Sequence, residues 1–282
     1  MLHPIGEGFD LEGFVHATLA EDIGETGDVT AAAVIPAEAR FRGVMASRDA
    51  IAVAGLAIAE AFFRALDPQA VLERLVEDGE RVAAGTELLR IEGLARAMLT
   101  AERSALNTVQ HLSGVATLTA AYVDAIAGTG ATLLDTRKTI PGLRLLEKYA
   151  VRMGGGRNHR MGLWDAAMIK DNHVAVAGGV EQAAARARDA GIARIIVEVD
   201  ALDQIEPALR GGATWLLLDN MGPAMLAEAV RQVGGRVPCE ASGGVRLETI
   251  RAIAESGVDH VSVGRLTQSA PAADIGLDFA PI

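Results

Sequence analysis

A single cysteine, Cys239, stands among 282 residues. One thiol cannot build an internal disulfide framework, and with no second cysteine nearby it cannot anchor a thiolate zinc site. It fits a reducing compartment, so a cytoplasmic location is expected. No apolar run reaches the roughly 18 residues a membrane span needs, which predicts no membrane association. The opening stretch MLHPIGEGFDLEG has neither a basic n-region nor a long apolar segment, and no signal peptide is expected there. A Gly-x-Gly-x-x-Gly fingerprint is absent, which argues against a nicotinamide dehydrogenase, and no Gly-x-Ser-x-Gly elbow marks a hydrolase nucleophile. His159 and His173 stand 14 residues apart, not at metal-ligand spacing, and His111 and His260 are expected to be structural.

Lysine is the other scarcity. Of 26 Lys and Arg residues, only Lys138, Lys148 and Lys170 are lysines. The segment AVLERLVEDGERVAAGTELLRIEG, residues 70–93, has the short apolar runs and turns of biotinyl and lipoyl carrier sandwiches. A carrier needs a lysine on a hairpin, and none precedes Lys138, so this segment is scaffold. The three lysines also fall in one basic region, 137–173, of a chain whose net charge is −11. An acidic chain is not a general nucleic-acid binder. A local reversal of charge predicts a focused anion site instead. A solvated helix face would account for Arg144, Lys148 and Arg152 in RLLEKYAVR. Lys138 and Lys170 fall at strand ends, where a compact ammonium fits and a flat guanidinium would clash. Replacing Lys by Arg is therefore expected to damage function at 138 and 170 and to be nearly silent at 148.

Residues 1–110 read as mixed α and β. From about 111 to 269, short β-rich runs alternate with helices: ATLLD (131–135), AAMIK (166–170), RIIVEV (194–199), TWLLLD (214–219), VPCEAS (237–242) and DHVSVG (259–264). Such βα alternation predicts a parallel sheet, either a barrel or an open doubly wound sheet. Each run ends in polar or glycine-rich sequence, and the carboxyl ends of barrel strands are where active sites assemble. The ends supply three kinds of chemistry. Arg137, Lys138, His159, Arg160 and Lys170 form a basic group for carboxylates or phosphates. Glu198 and Asp219 can serve a metal, ribose hydroxyls or a developing positive charge. Ser242-Gly243-Gly244 and Gly264 can cradle a phosphate through backbone N–H groups. The stretch MGGGRNHR (153–160) is expected to be a loop arching over this site.

Seven segments, in order, resemble the quinolinate phosphoribosyltransferase family, the decarboxylating enzymes of de novo NAD biosynthesis. They are AERSALN (101–107), DTRKTIPGLR (135–144), KYAVRMGGGRNHRMGLWDAAMIKDNH (148–173), EVD (198–200), LLLDNM (216–221), EASGGV (240–245) and SVGRLTQSAPAADIGLDF (262–279). The resemblance implies an α/β fold: an N-terminal α/β sandwich, residues 1–110, to which the tail 270–282 returns, followed by an incomplete parallel α/β barrel, 111–269. It implies conversion of quinolinate and phosphoribosyl pyrophosphate to nicotinate mononucleotide, pyrophosphate and CO2, with Mg²⁺ required and a homodimer, or a higher oligomer built from dimers, as the functional unit. By the same resemblance Arg137, His159, Arg160 and Lys170 form the quinolinate pocket, and Arg103 reaches it from the neighbouring subunit. Lys138 contacts phosphoribosyl pyrophosphate. Glu198 and Asp219 hold ribose and magnesium, directly or through water, and these two acids with Lys138 are the expected catalytic residues. Ser242, Gly243, Gly244 and Gly264 bind the 5-phosphate, with Thr136, Val263 and Arg265 flanking. Nicotinate phosphoribosyltransferase, a molybdenum-associated homologue of the same fold and a non-catalytic phosphate-ligand sensor remain alternatives.

Overall fold

The computed structural model describes residues 5, 6 and 8–282. Part of the opening stretch, on which no signal peptide is read, lies outside the described residues. The first half of the chain forms α1 (Leu11–Ile23), α2 (Val29–Val34), β1 (Arg40–Ser47), β2 (Ile51–Ala52), α3 (Leu56–Leu66), β3 (Val71–Arg74), β4 (Arg81–Val82), β5 (Glu87–Leu94) and α4 (Ala95–Ala125). Then follow β6 (Thr132–Leu134), α5 (Arg144–Met153), β7 (Ala167–Ile169), α6 (Asp171–Ala177), α7 (Val180–Asp189), β8 (Ile195–Val199), α8 (Ile205–Gly211), β9 (Trp215–Asp219), α9 (Pro223–Val233), β10 (Cys239–Ser242), α10 (Leu247–Ala254), β11 (His260–Ser262), α11 (Arg265–Gln268) and β12 (Ile275–Pro281). Among the described residues no helix is long and apolar enough to cross a membrane.

The chain packs as two compact units. The first comprises residues up to Ala120 together with 145–155 and 269–282; the second comprises 121–144 and 156–268. The divide falls within α4, whose 31 residues carry no breaker at residue 110 to mark it.

In the first unit an antiparallel sheet runs in the order β12-β1-β5-β3. Period-two burial sets its inner face: in β5, Leu89 and Ile91 are buried while Arg90 points outward. The helix α3 buries Leu56, Ile58, Ala59, Phe62 and Phe63 on one stripe and stops at Asp67, before Pro68. The buried Asp67 carboxylate accepts from the main chain of Gln69 and Leu94, which fixes the turn. The C-terminal segment returns to this unit as β12, pairing antiparallel with β1 from Ser47↔Ile275 onward.

The second unit holds six parallel strands in the order β6-β11-β10-β9-β8-β7. Each strand from β7 to β11 lies beside its sequence neighbours, and β6 pairs with β11. An order without a reversal is that of a barrel rather than of a doubly wound sheet. Among the described residues no ladder joins β6 to β7, so the barrel is incomplete. The strands are nearly continuous apolar runs, with Ile195–Val197 and Leu216–Leu218 all buried, as covering on both faces requires.

MGGGRNHR does not arch over the site as expected. After a turn at its glycines the chain lies along the free edge of β6: Arg157 bridges Leu134, its N–H donates to Leu133 O at 2.9 Å, and Asp135 N–H donates to Arg157 O at 3.1 Å. The fully buried Asp135 carboxylate then accepts from His159 N at 2.8 Å and Asn158 Nδ2 at 2.5 Å. An unpaired strand edge must satisfy its backbone groups, and this segment does so.

The solvated helix face expected of Arg144, Lys148 and Arg152 is also corrected. Residues 146–151 of α5 are all buried, and Lys148 is 0% exposed. A charged group in that position must be partnered. The adjacent Glu147, equally buried, meets His111 Nε2 at 2.9 Å, so His111 is structural, as expected. Arg152 donates to Ile5 O at 2.9 Å. We predict that Lys148→Arg, far from silent, lowers unfolding stability by about 1–3 kcal/mol through overpacking, measured as a shift of the urea midpoint. An unchanged midpoint would mean that the site relaxes around the larger head group.

Candidate active site

One cavity of about 740 Å³ opens in the second unit. It lies at the carboxyl ends of the six strands, because each contributes its last residues or the loop that follows. Of the fifteen residues expected at the site, fourteen line it: Thr136, Arg137 and Lys138 after β6, His159 and Arg160 along its edge, Lys170 after β7, Glu198 in β8, Asp219 in β9, Ser242, Gly243 and Gly244 at β10, and Val263, Gly264 and Arg265 after β11. Arg103 does not; it is an exposed residue of α4 in the first unit.

Strand order sorts the chemistry around the rim. Cations flank the open seam between β6 and β7, the glycine loops follow at β11 and β10, and the acids sit at β9 and β8. At the seam, Arg137 Nε is buried and has no hydrogen-bond partner among the described residues. A buried guanidinium N–H without an acceptor is costly unless a ligand supplies one. Arg160 is 6% exposed and donates through Nη1 to Ala166 O at 3.0 Å. Burial lowers its pKa, and the charge of Arg137 adds to the effect, while Asp165 opposes it. Two guanidinium groups that feel each other's charge, one buried and one half-buried, favour an anion beside them. Arg144 braces the loop below them, donating to Thr139 Oγ1 at 3.0 Å and to the carbonyls of Met161 and Arg137 at 3.3 and 3.4 Å.

Lys138 has its main chain fixed on both sides: its N–H meets Thr136 Oγ1 at 3.0 Å and its carbonyl accepts from the buried Thr267 Oγ1 at 2.7 Å. Its aliphatic stem crosses Gly264, where an added Cβ would come within 2.8 Å of Lys138 Cδ. Lys170 Nζ pairs with Glu198 Oε2 at 2.7 Å. Burial raises the Asp219 pKa, the nearby Glu198 charge raises it further, and Lys170 and Lys138 pull it back. Two acids and two lysines therefore share one electrostatic field. Among the described residues no group of three or more His, Cys, Asp or Glu could hold a metal ion. Glu198 and Asp219 form a two-carboxylate donor set, which suits a hard cation completed by substrate oxygens and water.

Gly243 has φ +94°, and a Cβ there would fall on Asn220 Oδ1. Asn220 itself has φ 56° and donates from Nδ2 to Asp219 Oδ2 at 2.6 Å. Asp135 and Asn220, polar strand-end residues given no role in the sequence reading, line the cavity too, and so does Glu240, which was not singled out. Strand alternation was the available signal for Glu240, which shares a face with Ser242 two residues on.

Comparison with known proteins bears on this geometry. The profile described as quinolinate phosphoribosyl transferase, C-terminal domain, matches residues 115–278, and that of the N-terminal domain matches 28–113. The chain belongs to the quinolinate phosphoribosyltransferase family. Relatives in that family include nicotinate-nucleotide pyrophosphorylase [carboxylating] of Mycobacterium leprae, 45% identical over 94% of this chain and 95% of its own. Quinolinate phosphoribosyltransferase [decarboxylating] 1b of Nicotiana tabacum is 42% identical over 97% of this chain and 83% of its own. The crystal structure of NadC from Streptococcus pyogenes superposes with a TM-score of 0.92 at 37% identity, covering 96% of this chain and 97% of that one. The sandwich and incomplete barrel are thus the quinolinate phosphoribosyltransferase fold.

Gly243→Val combines a disallowed backbone angle with a clash on Asn220. It is expected to weaken phosphoribosyl pyrophosphate binding, through its 5-phosphate, about tenfold or more and quinolinate binding much less, measured by calorimetry. Equal losses for both ligands would indicate general misfolding instead.

Proposed function

We infer that the chain transfers a phosphoribosyl group from phosphoribosyl pyrophosphate to quinolinate, releasing pyrophosphate and CO2 and leaving nicotinate mononucleotide, as a step of NAD biosynthesis. The observation that carries this reading is the buried Arg137 Nε, without a hydrogen-bond partner among the described residues, in one cavity with Arg160, a glycine cradle and two acids. Quinolinate presents two adjacent carboxylates, and two guanidinium groups at the seam can pair with them. The glycine loops offer backbone N–H groups to the 5-phosphate, and Lys138 offers its ammonium to the pyrophosphate.

The chain's own residues act mainly by position and charge. Attack of the pyridine nitrogen on the ribose carbon passes through an oxocarbenium-like state. Glu198 and Asp219, carboxylates on the cavity wall, stabilise that developing positive charge in this reading. The arginines hold the ring in line for attack. Loss of CO2 from the carbon beside the cationic ring nitrogen leaves the electron pair on that carbon, where the adjacent positive charge stabilises it, and the carbon then takes a proton from water; a donor of one proton is needed there, but no general base. Glu198 and Asp219, with their incomplete donor set, are also the residues that would hold Mg²⁺ together with substrate. Bound there, Mg²⁺ supplies charge neutralisation for the pyrophosphate leaving group. A cytoplasmic location belongs to the same reading, supported by a sequence with the single cysteine Cys239, which cannot form an internal disulfide. The alternative acceptor nicotinate has one carboxylate and leaves part of the seam's charge unmatched.

Incubation with phosphoribosyl pyrophosphate, Mg²⁺ and either quinolinate or nicotinate is expected to give nicotinate mononucleotide and CO2 from quinolinate only. Turnover of nicotinate, or ligand binding without turnover, would overturn the reading.

The same reading includes a homodimer in which Arg103 serves the partner's cavity. Arg103 is exposed and does not line its own chain's cavity as the other fourteen residues do. Mixing Arg103→Ala and Lys138→Ala chains, each inactive alone, is expected to restore up to about a quarter of wild-type activity, since random pairing makes half the dimers mixed and each mixed dimer has one intact site. No recovery despite subunit exchange, followed by native mass spectrometry of isotope-labelled chains, would place the action of Arg103 within its own chain.

A further inference from the structure

Glu240 is fully buried in β10, on the inward face of the barrel, a position usually filled by branched apolar side chains. Two donors converge on its Oε2: Trp215 Nε1 at 2.8 Å and His159 Nε2 at 3.1 Å. Its Oε1 has no hydrogen-bond partner among the described residues. Burial pushes the Glu240 pKa up, but the hydrogen bonds from His159, Ser262 and Trp215 lower it, and the balance holds it below the usual carboxylate value.

An ionised carboxylate only accepts hydrogen bonds, so His159 Nε2 carries a hydrogen. The other ring nitrogen, Nδ1, accepts the main-chain N–H of Arg160 at 2.7 Å. The donor pattern therefore assigns a neutral ring with hydrogen on Nε2 and both nitrogens engaged inside the protein. His159 is a strut rather than one more cation for the substrate. The charged and titratable groups around it are Glu240, the Asp135 carboxylate on its main-chain N–H, Arg160, Arg157 and His260.

We propose that Glu240 is a positioning residue for the anion pocket: as a hydrogen-bond acceptor it fixes the His159 ring, whose Nδ1 sets the main chain at Arg160 and so aims that guanidinium at the seam. Trp215 holds Glu240 in place, edge-on to the His159 ring with centroids 6.4 Å apart and stacked on His260 at 4.4 Å. The kinetic side of the proposal rests on the reading that this pocket binds quinolinate.

Two measurements test it. The first uses histidine ring ¹⁵N NMR on the intact wild-type chain at neutral pH, with His159 assigned by loss of its signals in His159→Gln. One protonated and one unprotonated nitrogen are expected; a doubly protonated ring overturns the assignment. No substrate is needed, so this arm decides the ring state even if the proposed reaction is not the chain's own. The second compares Glu240→Leu and Glu240→Gln. Loss of the acceptor in Glu240→Leu is expected to raise KM for quinolinate about tenfold or more with KM for phosphoribosyl pyrophosphate unchanged. Glu240→Gln keeps an acceptor oxygen and is expected to recover most of that loss. An unaltered quinolinate KM in Glu240→Leu, or an equal rise for both substrates, overturns the proposal. So does a Glu240→Gln chain as impaired as Glu240→Leu, because charge rather than acceptance would then be the requirement. Should Glu240→Leu fail to fold, the ring state and Glu240→Gln kinetics decide alone.

Discussion

The Asp135 carboxylate is the contact on which the rest of the site depends. It is fully buried at the end of β6 and accepts from His159 N and Asn158 Nδ2. A barrel short of its full strand complement has a seam, and a seam exposes backbone groups. Asp135 ties an irregular segment into that gap. The same segment carries His159 and Arg160, and the loop after Asp135 carries Arg137 and Lys138. The incompleteness of the barrel is thus what provides a place for densely packed cations.

Cations at such density repel one another, and burial makes the repulsion stronger. The chain offsets this with fixed acceptors close by: Ala166 O for Arg160, Glu198 for Lys170, and the carbonyls of Met161 and Arg137 for Arg144. Arg137 Nε is left unmet. The acids show the mirror image, with Asp219 made less acidic by burial and by Glu198 and relieved by two lysines. Each group is held in a state that an appropriate ligand improves, which is how a preorganised electrostatic site differs from a stable surface ion-pair network.

Much of this was legible in the sequence because it is local. Each of the six β-rich runs forms a strand, and what a strand end carries, the rim carries; Lys170, Glu198 and Asp219 needed no more than that. Lysine scarcity likewise pointed to Lys138, whose stem crosses a glycine where the chain approaches closely. What stayed hidden depends on distant partners. Lys148 reads as a surface residue from helical spacing, and only tertiary packing encloses α5 on every side. The course of 157–160 follows from a free strand edge, which is a property of the whole sheet. Glu240, Trp215 and His159 come from three separate segments, and no spacing rule connects them.

Each of the two larger sheets is completed by a pairing between distant parts of the chain. Thr132 in β6 pairs with His260 in β11, and Ser47 in β1 with Ile275 in β12. Closing such long loops costs entropy before any contact repays it. During synthesis β7 to β10 can assemble neighbour by neighbour, but β6 and β1 wait with an open edge until nearly the last residues emerge. Each half of the protein therefore commits to its native topology late and almost together with the other. In that interval the exposed edges are open to wrong partners, and this is where a chaperone would have most to protect.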